Sequence, residues 1–165
     1  LELLYILNEK SISSLDDELQ THESQSGPEK PEKMYNAHVY AFYYLYFAKI
    51  TDGVLTKEEL HTIADKIALW VMNDFPRDQL EAKVRSIVQE AKQWYDSLDP
   101  KAREEEIIKI CDWLKTHLSE FGDYHKDFLQ DLVDIARADG NFSEKEKDLI
   151  HHTAEQWEIE FKVKD

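Results

Sequence analysis

The feature that most constrains this chain is a short motif that occurs twice, with Asp139 standing 87 positions after Asp52. The first copy covers residues 48–59 and the second covers residues 136–146. Each copy ends an apolar run at Asp-Gly, crosses two residues, and restarts with a hydroxyl residue three positions before a glutamate. An internal repeat of this length predicts a duplicated helix pair.

Each copy carries the residues of a helix end followed by a helix start. Glycine just past the last turn adopts the left-handed conformation without a Cβ penalty. The next hydroxyl residue can accept a hydrogen bond from the third helical amide while the glutamate reaches back to the cap, forming a capping box. The residues concerned are Gly53, Thr56 and Glu59 in the first copy and Gly140, Ser143 and Glu146 in the second. Both motifs therefore predict helix–turn–helix junctions.

The second motif also resembles the signature of a known family. After residues 136–146 the predicted helix continues through Ile150, Ala154 and Trp157. This arrangement is similar to the TerB-like family, which includes tellurite-resistance proteins and the N-terminal region of the membrane co-chaperone DjlA. The first copy has the same form, with Thr51 replacing the second small residue, and the resemblance covers residues 34–160. It implies an all-α fold with pseudo-twofold halves and a divalent-metal site among acidic residues, and it implies no established reaction.

Length and charge narrow the class of protein. A chain of 165 residues is the size of one domain with a substantial core. Its 35 acidic residues against 20 basic ones leave a net charge of −15, which argues against binding nucleic acid or an anionic membrane surface. Protein partners or cations are favoured instead. Cys111 is the only cysteine, so an intramolecular disulfide is excluded and a reducing, cytoplasmic compartment is favoured.

The order of segments predicts an N-terminal region followed by one helical domain. Residues 1–33 comprise short amphipathic segments and a polar linker that contains Pro28 and Pro31. Residues 34–165 are predicted to form a compact all-α bundle, bringing the total to about six to seven helices, with two pseudo-twofold-related helix–turn–helix repeats and no sheet. The helix near residues 34–51 is rich in aromatic residues on every side, which predicts a central position.

Membrane insertion is not predicted. The longest apolar stretch, residues 37–50, is interrupted by His38 and Lys49 and is too short to span a bilayer. We expect His38 to be a hydrogen-bonded core residue. The chain begins at Leu1 rather than methionine, which leaves open a preceding targeting signal or anchor.

The Asp-Gly motifs are the candidate metal site, although they do not match a calcium loop of the EF-hand type. In an EF-hand register that places Glu59 at the last ligand position, Ala48 and Ile50 occupy the first two ligand positions. Convergence of the two halves would instead bring carboxylates together, and oxygen ligands suit Ca²⁺ or Mg²⁺. The candidate ligands are Asp52, Asp139, Glu59 and Glu146. Capping and turn geometry account for the same residues without a metal.

Histidines and Cys111 provide weaker candidates. The i and i+4 pairs that could place two zinc ligands on one helix face are His61 with Asp65 and Asp148 with His152, but no third ligand is identifiable. Cys111 lies on an apolar stripe, where a thiol is usually packing rather than a nucleophile. No phosphate loop, nucleophile elbow or metalloprotease helix is present in the sequence.

Three functional hypotheses follow. The first is a non-enzymatic TerB-like module that binds a divalent cation or a protein in a bacterial stress-related or membrane-associated complex, with the tellurite connection resting on the resemblance alone. The second is a structural interaction domain whose acidic face binds basic proteins. The third, from a different class, is a metal-dependent hydrolase with His61 or His152 as the base. The identity of the partner and the oligomeric state stay open.

Overall fold

The computed structural model describes residues 30–50, 53–120 and 123–163, and these ranges contain six α-helices and no strand. In chain order the helices are α1 (Asn36–Lys49), α2 (Lys57–Val71), α3 (Leu80–Ser97), α4 (Pro100–His117), α5 (His125–Arg137) and α6 (Glu144–Gln156). The prediction of an all-α bundle is confirmed. The short helices predicted within residues 1–20 lie outside the described residues, and the domain boundary at residue 33 stays a prediction.

Helix α1 lies at the centre and packs against all five other helices. Twelve of its fourteen residues are buried, and only Tyr46 and Lys49 are partly exposed. A helix that contacts neighbours all round must carry apolar groups all round, which is why its sequence shows no single stripe. The other helices are amphipathic and place one apolar face on α1 or on each other.

Aromatic side chains fill the space around α1. The ring centroid of Phe42 lies 4.3 Å from that of Trp94 on α3, and Phe128 on α5 lies 5.3 Å from Tyr43. His38 is also buried, and its Nδ1 accepts a hydrogen bond of 2.8 Å from the backbone N–H of Tyr35. The prediction that His38 is a hydrogen-bonded core residue is therefore confirmed.

The two predicted turns share a glycine conformation and a capping box, but they are closed differently: the Gly53 N–H donates to the Lys49 carbonyl, whereas the Gly140 N–H donates to the Arg137 carbonyl, one position later in the repeat. Each contains a glycine with positive φ, 77° at Gly53 and 79° at Gly140. The backbone N–H of Glu59 donates to Thr56 Oγ1 over 3.1 Å, and Glu59 Oε1 accepts from the Thr56 N–H over 3.2 Å. The same two bonds join Ser143 and Glu146, at 3.2 and 2.8 Å. Helices α2 and α6 thus begin with the same capping box.

We expect Gly140→Ala to lower the free energy of unfolding by about 1 kcal/mol, because an L-residue with a Cβ is strained in the left-handed region. No atom lies within 4 Å of the position of a Cβ at Gly140, so the effect isolates backbone strain from steric overlap. Urea denaturation measures it. Gly140→Asn is the control and should cost less, because asparagine tolerates this conformation better. Equal denaturation midpoints for wild type and Gly140→Ala would contradict the assignment.

Candidate carboxylate site between the two Asp-Gly turns

The candidate site lies where the N-termini of α2 and α6 approach each other. Glu59 lies in the first turn of α2, three residues after the Thr56 cap, and is only 4 % exposed. Burial raises the pKa of its carboxyl, hydrogen bonds from Thr56 oppose that rise, and the nearby charges of Asp139 and Glu146 raise the pKa further. The carboxylate of Glu59 in the first half of the repeat is therefore repelled by two carboxylates of the second half.

The same carboxylates are part of the local helix caps. Glu59 Oε1 also accepts from Thr56 Oγ1 over 2.8 Å, and Glu146 Oε1 accepts from the Ser143 backbone. Asp139 Oδ1 accepts from the Asn141 N–H over 2.9 Å, which closes a turn around Gly140. The negative charge of each glutamate is also stabilised by the positive N-terminal end of its helix dipole. Caps and turns thus account for their positions without any bound ion.

The structure brings three of the four candidate ligands into one electrostatic neighbourhood. These three are Glu59, Asp139 and Glu146, whereas Asp52 lies outside the described residues. Within residues 30–50, 53–120 and 123–163, no three His, Cys, Asp or Glu side chains are arranged so that they could hold a metal ion. Metal ligation by these residues stays a prediction.

A comparison with known families shows the family of this chain. The family model described as tellurite resistance protein TerB matches residues 44–162, from the middle of α1 to beyond the end of α6. The chain belongs to the TerB family. Neither curated proteins nor solved structures include a significant match. In the part of this TerB protein that the structure describes, no helix is long and apolar enough to cross a bilayer.

The residues of the zinc and hydrolase hypotheses lie elsewhere in the TerB fold. His61 and Asp65 line a groove between α2 and α3, and His152 is exposed on α6 beside Gln156. Neither histidine belongs to a group that could hold a metal among the described residues. Burial raises the pKa of the Cys111 thiol to about 11, so it stays protonated at neutral pH. This supports the prediction of a packing role for Cys111.

Sequence reasoning missed a buried polar network centred on Asp131 of α5. Its Oδ2 accepts from the Tyr44 hydroxyl over 2.6 Å and from Trp70 Nε1 over 2.9 Å. Lys66 Nζ lies 3.8 Å from its Oδ1 and 2.6 Å from Asp134 Oδ2. Burial raises the pKa of Asp131 to about 6, although the hydrogen bonds from Tyr44 and Trp70 and the positive charge of Lys66 oppose the rise. The network joins α1, α2 and α5.

The repeat itself contains the signal that would have found this network. Asp131 stands 87 positions after Tyr44, the same offset that relates Glu146 to Glu59. Equivalent positions of two related halves meet only near the axis that relates them. The Tyr44–Asp131 hydrogen bond and the Glu59–Glu146 repulsion therefore both join equivalent positions of the two sequence repeats.

A second missed feature is His117 at the end of α4. Its Nε2 lies 2.9 Å from the Tyr40 hydroxyl and 3.2 Å from Asn36 Nδ2, and its ring stacks on Trp113 at 4.2 Å between centroids. Because an amide nitrogen can only donate, Nε2 is the acceptor and the ring is neutral. Burial lowers the pKa of His117 to about 4.

Proposed function

We propose that this TerB protein is a non-enzymatic helical module that binds a divalent cation, Ca²⁺ or Mg²⁺, where its two Asp-Gly turns meet. The ligands would be Asp52, Glu59, Asp139 and Glu146. The module would act in the bacterial cytoplasm within a stress-related, tellurite-resistance-like or membrane-associated protein complex. Family membership supports the module, and the cation and the complex are the proposed part.

The observation that carries the proposal is the electrostatic state of Glu59. A buried carboxyl whose pKa is raised further by two carboxylates of the other half is a site of unrelieved negative charge. A divalent cation at this position would stabilise the ionised form of all three groups at once. None of the groups that shift the pKa of Glu59 is a basic side chain.

The donor chemistry fits a hard cation. Ca²⁺ and Mg²⁺ are bound by carboxylate and carbonyl oxygens and by water. The capping boxes engage Oε1 of each glutamate, and an ionised carboxylate has two oxygens with about four acceptor positions. Capping and ligation are therefore compatible uses of the same side chain.

Calorimetric titration with Ca²⁺, Mg²⁺, Mn²⁺ and Zn²⁺ tests the site. We expect one of these ions to bind in the micromolar range, with affinity reduced roughly tenfold or more by Asp52→Asn or Asp139→Asn, since even residues that only support a ligand change affinity that much. Asp127→Asn, which removes an exposed carboxylate of α5, is the matched control and should bind like wild type. Helix content measured by circular dichroism should be unchanged in all variants.

The hydrogen bonds of the turns favour one alternative, a structural domain that binds basic proteins through its acidic surface. In that case Asp139 only stabilises the turn at Gly140, Glu59 and Glu146 only cap their helices, and no ion binds. Absence of binding for every ion, together with a partner whose retention falls steeply with salt, would establish this alternative. Equal loss of ion affinity in Asp127→Asn and Asp139→Asn would also contradict a shared site.

A further inference from the structure

A groove of about 930 Å³ runs between α2 and α3, and none of the three proposed cation ligands that the structure describes, Glu59, Asp139 and Glu146, lines it. Its apolar lining repeats every four residues along both helices and consists of Leu60, Ala64, Ala68, Leu80, Val84 and Val88. A volume of this size is near the upper end of ligand sites, which span about 300–1,000 Å³. An elongated apolar groove between two helices suits a third amphipathic segment.

The rim of the groove has a charge opposite to that of the chain. Its charged side chains are the cations Lys57, Arg77, Arg85 and Lys92 and the anions Asp65 and Glu81. Four cations thus face two anions in a protein of net charge −15. Arg85 pairs with Glu81 at 3.1 Å and Lys92 pairs with Asp96 at 2.7 Å. Lys57 and Arg77 make no ion pair within the described ranges, so the rim favours an acidic occupant.

The chain itself contains a segment of matching chemistry. Residues 1–20 include repeated leucines, among them Leu1, Leu4 and Leu7, that can fill an apolar groove. Residues 1–29 carry seven acidic side chains against one lysine. The segment thus combines apolar side chains for the floor with negative charge for the rim.

The connection is long enough to reach the groove. Lys30, the first described residue, lies beside α3, with its Nζ 5.9 Å from the centroid of the Trp94 ring. Helix α3 contains 18 residues and is therefore about 27 Å long. Residues 21–29 can span up to about 30 Å when extended. Because this span is about as long as α3, a segment within residues 1–20 can reach the groove at either end of that helix.

From these observations we infer that residues 1–20 dock intramolecularly in the groove between α2 and α3. Their leucines contact the floor formed by Leu60, Ala64 and Val88, and their carboxylates face Lys57 and Arg77. This site is separate from the proposed cation site and does not depend on it.

Paramagnetic relaxation in the full chain tests the docking. A nitroxide is attached at Ser13→Cys in a Cys111→Ser background, and the methyl signals of alanine, leucine and valine are recorded before and after reduction of the label. We expect the signals of Leu60, Ala64 and Val88 to lose most of their intensity, while Leu149 and Ala154 on α6 keep theirs. Unchanged groove signals would overturn the inference.

Variants on both sides of the contact sharpen the test. Leu4→Asp with Leu7→Asp should restore the groove signals, whereas Ser24→Asp with Ser26→Asp adds the same charge in the linker and should not. Lys57→Glu with Arg77→Glu should also restore them. The matched charge reversal, Lys101→Glu with Lys126→Glu on exposed positions of α4 and α5, should leave the broadening intact.

Mixing experiments decide between this segment and a second copy as the occupant. Isotope-labelled protein without a nitroxide is mixed with protein that carries the nitroxide but no isotope label. We expect no broadening of the Leu60 and Val88 signals in this mixture. Broadening in the mixture would overturn intramolecular docking in favour of association between copies. Equal effects of the Lys57/Arg77 and Lys101/Lys126 reversals would likewise overturn the assignment to this groove.

Discussion

Replacing Asp131 with alanine is expected to lower the free energy of unfolding by about 3 kcal/mol at pH 5. At this pH the folded protein holds Asp131 mostly protonated, because burial raises its pKa to about 6. Alanine removes the acceptor of the Tyr44 hydroxyl and leaves a buried donor and a small cavity. Trp70 Nε1 keeps a partner, since it also donates to the Tyr44 oxygen over 2.9 Å.

The cost of Asp131→Ala should depend on pH with a defined sign. The pKa of Asp131 is higher in the folded state than its ordinary value of 3.8, so the stability that this group contributes is complete below pH 3.8 and is lost as pH rises through about 6. The variant lacks this titration. Its deficit relative to wild type should therefore shrink by about 1 kcal/mol between pH 5 and pH 8.

Asp134→Ala is the matched control, because Asp134 is the other carboxylate partner of Lys66 and is more exposed. A partly exposed ion pair contributes less than about 1 kcal/mol. Urea denaturation of the two variants at pH 5 and pH 8 provides the comparison. Equal losses for Asp131→Ala and Asp134→Ala, or a deficit for Asp131→Ala that grows toward pH 8, would contradict the role of the buried network.

The second large effect is acid destabilisation through His117. Burial holds its pKa near 4 in the folded protein, whereas the ordinary value is 6.5. Stability from the neutral ring is complete above pH 6.5 and is lost as pH falls through about 4, because the unfolded chain takes up the proton first. Between pH 8 and pH 5 the loss attributable to His117 should be about 2 kcal/mol.

His117→Gln isolates this contribution, because an amide can bond to Tyr40 and Asn36 but cannot become charged. We expect the decrease in unfolding free energy from pH 8 to pH 5 to be about 2 kcal/mol smaller in the variant than in wild type. His151→Gln, at an exposed position of α6, should leave the decrease unchanged. A pH profile of His117→Gln that parallels wild type would show that folding does not lower the pKa of His117, and would contradict this assignment.

Asp131 and His117 act in opposite directions over the same pH range. Acidification adds stability at Asp131 and removes it at His117, so their contributions partly cancel in wild type. Burial also lowers the pKa of His38 to about 4, against the opposing charge of Glu90, and this adds to the destabilising side. The single substitutions therefore reveal slopes that the wild-type profile conceals.

Local patterns were sufficient to predict both turns and the central helix. Glycine at the helix end, and a hydroxyl residue three positions before glutamate, act within a few residues, so the capping boxes at Thr56 and Ser143 follow from sequence alone. Helix α1 was predicted to be central because apolar residues on all sides require neighbours on all sides. The repeat offset also predicted that carboxylates of the two halves would converge, and Glu59 lies near Asp139 and Glu146.

The polar core could not be predicted in the same way. No local pattern distinguishes Asp131 from the other acidic residues of the amphipathic helices, and its burial depends on how α1, α2 and α5 cross. His117 stands at a helix C-terminus, where exposed basic residues are common. Only the approach of Tyr40 and Asn36, about 80 positions away in the chain, makes it a buried acceptor.

The sequence by itself determined the helices, the capping boxes of their two junctions and the family, because capping, propensity and apolar periodicity are local properties of the chain. The tertiary structure alone decided which polar groups are desolvated and which charges lie close together. It brings Asp131 into hydrogen-bond contact with Tyr44 and His117 with Tyr40, and it places basic side chains along the rim of the α2–α3 groove. The physical reason is that desolvation and Coulomb interactions depend on distances between segments remote in sequence, which no local pattern encodes.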